Sequence, residues 1–271
     1  GVTLLALPVT AAEPIQVFFL SGQSNMEGKA AVTTLEAVIR DEKTRAQFAH
    51  LKAGDQWAVR DDVFVTYLDR DETPVSPTHG PLTVGFGSPK NARDENNKRI
   101  KVPGVGPELG IGWVLGEALD EPVLLIKAAW GGRAVKHSFR PPSAMPTDDE
   151  IKSRLTEIHK KNPEMTLAGL KASSSGEVRK VITETKRVLD NIEEYVPNYD
   201  ESAGYELAGF IWFQGWNDGV GSGNPEYTQQ LAHFIRDIRK DLSAPKLPFV
   251  IGQLGTDGEA ATGWVANFSA H

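Results

Sequence analysis

Ile15-Gln-Val-Phe-Phe-Leu-Ser-Gly-Gln-Ser-Asn-Met26 is the stretch on which the reading of this chain turns. A short apolar run rich in β-prone residues stops abruptly at Ser21-Gly22, the pattern of a buried strand ending in a tight turn. Four more apolar runs follow, three of them stopped by glycine. They are 62–68, Pro122 to Ala129 before Gly131-Gly132, Leu207 to Phe213 before Gly215, and Leu247 to Leu254 before Gly255. Runs this continuously apolar point to strands covered on both faces, the habit of parallel sheets. Helical periodicity fills the intervals. Pro107 sits at a first helical position of 107–119, an apolar stripe recurs through 177–196, and Asn224 stands as an N-cap for a third helix over 224–242. Strands alternating with helices predict a layered α/β fold in one domain, with a mostly parallel five-stranded sheet. Residues 69–106 and 141–175 are rich in Pro, Gly and charge, and are expected as long loop insertions, the second holding a charged helical stretch over 148–161.

Composition narrows the function. The 271 residues carry a net charge of −7, with 24% charged and 40% hydrophobic residues and no cysteine. The apolar content excludes wholesale disorder, and the negative balance is a poor match for nucleic acid. Without cysteine there are no disulfides, no thiolate nucleophile and no sulfur-ligated zinc. No run approaches the ~20 apolar residues of a membrane-spanning helix.

In open α/β sheets, ligands bind outside the carboxyl ends of the strands, and three of these ends carry suggestive residues. Ser24 follows the first strand at a strand-to-helix turn, where a serine either serves as a nucleophile or caps the helix. No Gly-x-Ser-x-Gly elbow is present, so spacing alone favours the cap. Trp130-Gly131-Gly132 follows the third strand; paired glycines let backbone N–H groups approach a ligand, or form a plain turn. Trp212-Phe-Gln-Gly-Trp-Asn-Asp218 follows the fourth. There the Gln214 amide can donate to an oxyanion and tryptophan can wall a sugar ring, while Asn217-Asp218-Gly219 reads equally as an Asx turn.

Gly22-Gln-Ser-Asn-Met26, the Gly131-Gly132 turn and Trp212 to Asp218, in that order, resemble the SGNH-hydrolase superfamily. Within it they resemble the sialate O-acetylesterase branch, related to the acetylxylan esterases of carbohydrate esterase family six. The resemblance runs from Ile15 to the last residues. It implies a three-layer α/β/α flavodoxin-like fold and metal-free removal of acetyl groups from sugars through an acetyl-enzyme. By position it makes Ser24 the nucleophile and a backbone oxyanion donor, Gly131 (or else Gly132) the second donor and Gln214 the side-chain donor. Trp130, Gly132, Trp216, Asn217 and Asp218 are then expected to touch an acetylated carbohydrate. Many relatives carry Gln-Gly-Glu where this chain has Gln-Gly-Trp-Asn-Asp, a departure that bears on substrate choice. Two rivals stand beside this reading: a sugar-binding module without catalysis, and an acyl-lipid esterase. Trp57, Phe86, Trp130 and Trp216 are the aromatic residues available to line any such site.

The resemblance also implies a catalytic histidine, usually as Asp-x-x-His, after the last strand. Asp257 has Ala260 three places on, and His271 is terminal. His50, His79, His137, His159 and His233 fall in other segments and read as surface or loop histidines. The base and its Asp are therefore expected beyond residue 271, making 13–271 a truncated esterase domain. Residues 1–12, apolar or small up to Glu13, read as the remnant of a signal peptide, which implies a secreted or periplasmic protein.

Overall fold

The computed structural model describes residues 13–69, 71–220, 223–255, 258–260 and 262. Residues 1–12, Asp257 and His271 lie outside the described residues, and with them the expectations placed there.

The elements that position the site are β1 (Ile15–Gly22), α1 (Ser24–Glu27), β2 (Arg60–Tyr67), β3 (His79–Leu82), α2 (Pro107–Ala118), β4 (Val123–Ala129), α3 (Gly176–Leu189), β5 (Tyr205–Phe213), α4 (Tyr227–Asp241) and β6 (Phe249–Ile251). They build a six-stranded sheet in the order β6-β5-β1-β4-β2-β3. All neighbouring pairs are parallel except β2 with β3. The five strands read from the sequence are the five parallel ones. The sixth, β3, lies inside the stretch expected as loop and closes one edge.

The period of two along β4 sorts its side chains between two cores. Leu124, Ile126 and Ala128 pack with Val178 and Val181 of α3 and Phe234 and Ile238 of α4. Val123 and Leu125 face the other way, toward Leu109 of α2. Helices on both faces of the sheet make three layers, α/β/α. In the first core Phe210 and Trp212 pack against Phe234, with Trp212 and Phe234 ring centroids 4.6 Å apart. All three side chains are fully buried, so truncating Phe234 would cost about 3–5 kcal/mol.

Three local readings need correction. Residues 69–106 are not all loop. Beyond β3 they hold an antiparallel pair, Gly87–Arg93 with Arg99–Val105, joined on one side by Ala30–Ala31. Its strands carry charge on exposed faces, so they lack the alternation by which a half-buried strand is recognised. The last run shortens to three residues at an open edge, with Val250 58% and Ile251 51% exposed rather than covered. α4 starts at Tyr227 with Glu226 at its cap position, later than expected, and Asn224 stands in the turn before it, where its Oδ1 accepts the Glu226 N–H at 3.3 Å. The Asn224 Nδ2 group donates to Asp218 and Gln230. Thr147, by contrast, forms a full capping box with Glu150 at the head of the helix Asp148–His159. Among the described residues no helix is long and apolar enough to cross a membrane.

Candidate active site

The strand order sets where the site falls. From β1 the chain runs to β2 on one side, whereas from β5 it runs to β6 on the other. The crevice between the ends of β1 and β5 is thus a topological switch point, where open α/β sheets bind ligands. Ser24 follows β1 and Gln214 follows β5, so the two sit on opposite lips of that crevice. Gly131 follows β4, on the other side of β1.

Gly22 makes this approach possible. A Cβ there would stand 2.2 Å from the Phe213 carbonyl oxygen, so only glycine lets the Ser24 turn lie against the end of β5. Gly28 ends α1 at φ 84, where a Cβ would meet the Gly106 Cα at 2.3 Å. Between these two glycines, Ser24 is the first residue of α1 and Gln23 occupies the cap position without a side-chain cap bond. Ser24 therefore does not cap the helix. Its side chain is half-buried, and Oγ has no hydrogen-bond partner among the described residues.

A buried ion pair holds this turn from below. Lys127 of β4, inside an otherwise apolar strand, is fully buried, and Glu108 of α2 is 1% exposed. Lys127 Nζ donates to Glu108 Oε2 at 2.5 Å, to the Phe86 carbonyl at 2.7 Å and to the Glu27 carbonyl at 3.0 Å. The last bond places a cation on the final carbonyl of the helix that carries Ser24. Glu108 Oε1 accepts the Gly106 N–H. Sequence reading passed over Lys127 because its neighbours are uniformly apolar; a lone lysine within such a run was the available signal.

On the β5 side, Gln214 is 2% exposed. Its Nε2 donates to Asp218 Oδ2 at 2.6 Å and to the Arg133 carbonyl at 3.0 Å, with Gln23 Oε1 at 3.5 Å, and its Oε1 accepts from Tyr227. Asp218 corrects an expectation. It is fully buried and reaches no open surface. Its carboxylate accepts Val135 N–H, Lys136 N–H and the amides of Gln214 and Asn224, which fixes the loop after Gly131-Gly132 to the end of β5. A carboxylate with four donors is held in place rather than available to a sugar. Asn217 is half-buried and gives its backbone N–H to Gln23 Oε1 at 3.3 Å. Trp216 is 41% exposed at the rim.

Gly131 lies at the mouth of a cavity of about 360 Å³ lined by Glu27, Tyr67, Asp69, Ser88, Trp130 and Arg133 among others. Gly132, exposed with φ 76, forms the turn beyond it. Burial works against the Glu27 charge. Hydrogen bonds from Lys29 and Ser88, the Lys29 charge and the Gly131 N–H outweigh it and hold the Glu27 carboxyl below the usual carboxylate range. Gln23 Nε2 and Trp130 Nε1, next in the chain to Ser24 and Gly131, are buried donors with no acceptor among the described residues. Of the other aromatic candidates, Phe86 is 1% exposed and belongs to the core, and Trp57 packs beside it with Lys52 Nζ 3.8 Å from its ring. Neither lines the cavity.

The described histidines are engaged elsewhere. His50 packs at a tilt against Trp113, His79 meets Tyr195, His159 bonds the Met165 carbonyl and His233 bonds Ser143. His137 sits half-buried in the loop after Gly132, with Nδ1 against the Lys136 carbonyl. Burial, with Arg154 and Lys136 nearby, pushes its pKa down to about 4. None of these five hydrogen-bonds Ser24. Among the described residues no group of His, Asp or Glu could hold a metal ion.

A three-layer α/β/α sheet with a serine turn, a glycine turn and a buried glutamine at its switch point defines a protein of the SGNH-hydrolase type. A model of the family described as "carbohydrate esterase, sialic acid-specific acetylesterase" matches residues 14–270, and the chain belongs to that family. NanS superposes with a TM-score of 0.51 at 15% identity, covering 97% of this chain and 72% of NanS, which shows a shared fold. An Arabidopsis thaliana protein (TM-score 0.46, 19% identity, 94% and 79% covered) also matches. So does a carbohydrate acetylesterase from Xanthomonas citri (TM-score 0.41, 14% identity, 88% of this chain), of which this chain spans 41%. No curated protein matches.

Proposed function

We propose that this chain is a serine O-acetylesterase that removes acetyl groups from carbohydrates. Membership of a carbohydrate acetylesterase family supports the reaction class. The observation that carries the residue assignment is the place of Ser24, half-buried and not the helix cap, at the end of β1, which lies in the sheet between the strands that lead to the Gly131 and Gln214 turns. In this reading Ser24 Oγ attacks the acetyl carbonyl, its proton passes to a base, and the sugar leaves as an alcohol. Water then releases acetate from the acetyl-enzyme.

The developing oxyanion is received by the Ser24 N–H, the Gly131 N–H and the Gln214 amide. Two of these must change partners. The Gly131 N–H leaves the Glu27 carboxylate, and Gln214 Nε2 gives up the neutral Arg133 carbonyl while keeping Asp218. A charged acceptor competes well against a neutral carbonyl, because charge-assisted bonds are about twice as strong. Trp130 and Trp216 wall the sugar.

Acetate release from acetylated sugars, followed in wild type and Ser24→Ala, tests this. The expected result is loss of at least ~10³-fold in rate with sugar binding retained. Equal acetate release by Ser24→Ala would overturn the assignment, and sugar binding without acetate release by a wild-type chain extended past residue 271 would favour a binding module.

A further inference from the structure

The cavity at Gly131 does not end at Asp69. A second cavity, of about 670 Å³, opens on its far side, and the two share Tyr67 and Asp69 in their walls. Both residues lie where the chain leaves β2. Tyr67 is tied down by its hydroxyl on the Ala129 carbonyl at 2.9 Å. Asp69 has left-handed backbone at φ 52 and an ion pair to Lys180 at 2.6 Å. Lys180 in turn lies 5.2 Å from the Trp130 ring, so one ion pair forms the ridge between the two cavities and braces the wall of the first.

The lining of the second cavity is polar and unequal in charge. Among the described residues four carboxylates (Asp69, Asp71, Glu184 and Glu194) face it with one guanidinium, Arg187; Asp69 is paired with Lys180 and Glu184 with Arg187, so Asp71 and Glu194 make up the excess. Arg187 uses Nε on Glu184 at 2.9 Å and Nη1 on the Tyr195 hydroxyl at 2.7 Å. Three of its five N–H groups thus take no acceptor among the described residues. Carboxylate oxygens with outward lone pairs, and a guanidinium with spare N–H groups, suit the vicinal hydroxyls of a sugar. The excess of negative charge opposes a sugar carboxylate.

We infer that this cavity is a second glycan subsite, contiguous with the Gly131 cavity across the Tyr67–Asp69 ridge, and that it receives an uncharged sugar residue adjoining the acetylated one. The substrate is then an oligosaccharide with a neutral neighbour at that position. This rests on the carbohydrate reading above, but not on turnover.

Calorimetric binding therefore tests it apart from activity. The probes are neutral xylo-, cello- and chito-oligosaccharides, each against its own monosaccharide, with an oligogalacturonide as the anionic comparison. At least one neutral oligosaccharide should bind about tenfold more tightly than its monosaccharide, as expected for one charge-assisted hydrogen bond gained. The oligogalacturonide should show no such gain. Arg187→Ala should reduce the oligosaccharide-to-monosaccharide ratio toward one, and Arg187→Lys should restore part of it. A general folding defect would weaken both ligands and leave the ratio alone. Equal affinities across the neutral panel, an undiminished ratio in Arg187→Ala, or preference for the oligogalacturonide would each overturn the inference. Acetate release, measured separately, reports on the esterase reading alone.

Discussion

Replacing Lys127 with Met gives the sharpest test of how the Ser24 turn is held. The substitution keeps the volume of the side chain but removes the cation from three acceptors at once, one of them Glu108 Oε2 at 2.5 Å. Glu108 would remain 1% exposed as a carboxylate, with the Gly106 N–H donating to its Oε1. Breaking a buried pair in this way costs about 3–5 kcal/mol, against a total stability of roughly 5–15 kcal/mol. For a chain of this size each kcal/mol moves Tm by about 2–4 °C, so Lys127→Met should melt on the order of 10 °C below wild type. The double variant Lys127→Met/Glu108→Leu removes the stranded charge, and replacing both partners by apolar groups is often close to neutral. The buried Phe86 carbonyl and the part-buried Glu27 carbonyl still lack their donor, and the Gly106 N–H loses its acceptor, at up to about 1–3 kcal/mol each. The double variant should therefore recover only part of the loss. Thermal and urea unfolding followed by circular dichroism read both numbers. A single variant within ~1 kcal/mol of wild type, or a double variant no more stable than the single, would refute the view that this pair is a buried, mutually dependent clamp.

Three shorter predictions accompany it. Gly22→Ala should lower both stability and acetate release, because its methyl would fall 2.2 Å from the Phe213 carbonyl; a variant that melts and turns over like wild type counts against the close approach. Asp218→Ala strands four donors and should cost about 3–5 kcal/mol in urea unfolding, with Asp218→Asn losing less because it keeps one acceptor. For His137 the folded pKa of about 4 lies below its ordinary 6.5, so the unfolded chain binds the proton more readily. Its contribution to stability is complete above pH ~6.5 and is lost as pH falls toward 4, a slope of roughly 2 kcal/mol in total after allowing for partial exposure. His137→Gln should flatten that part of the stability–pH curve, and an unchanged slope would assign it to other groups.

Local chemistry was enough for much of this. Five apolar runs, four of them stopped by glycine, marked the five parallel strands, because side-chain period and turn residues are properties of neighbours in the chain. The same local logic located Ser24, Gly131 and Gln214 at strand ends and supplied the motif by which the family is recognised. It failed where a residue's partner is distant. The hairpin over 87–105 escaped because its strands are exposed and charged on their outer faces. Asn224 looked like a cap, and its Oδ1 does take the Glu226 N–H, but nothing local showed that its Nδ2 group goes to Asp218 and Gln230. Asp218 looked like a ligand contact, yet its position beneath the 133–136 loop makes it a buried anchor.

What the amino-acid order determined by itself was the class of fold, the three turns and the serine. Strand order, which sets β1 beside β5 and creates the switch-point crevice between Ser24 and Gln214, was decided only by the tertiary structure. So were the Lys127–Glu108 pair under the Ser24 turn and the second cavity beyond Asp69. The physical reason is common to all three. Each depends on groups brought together across long stretches of chain by burial and pairing, and periodicity within a segment carries no record of which distant segment will pack against it.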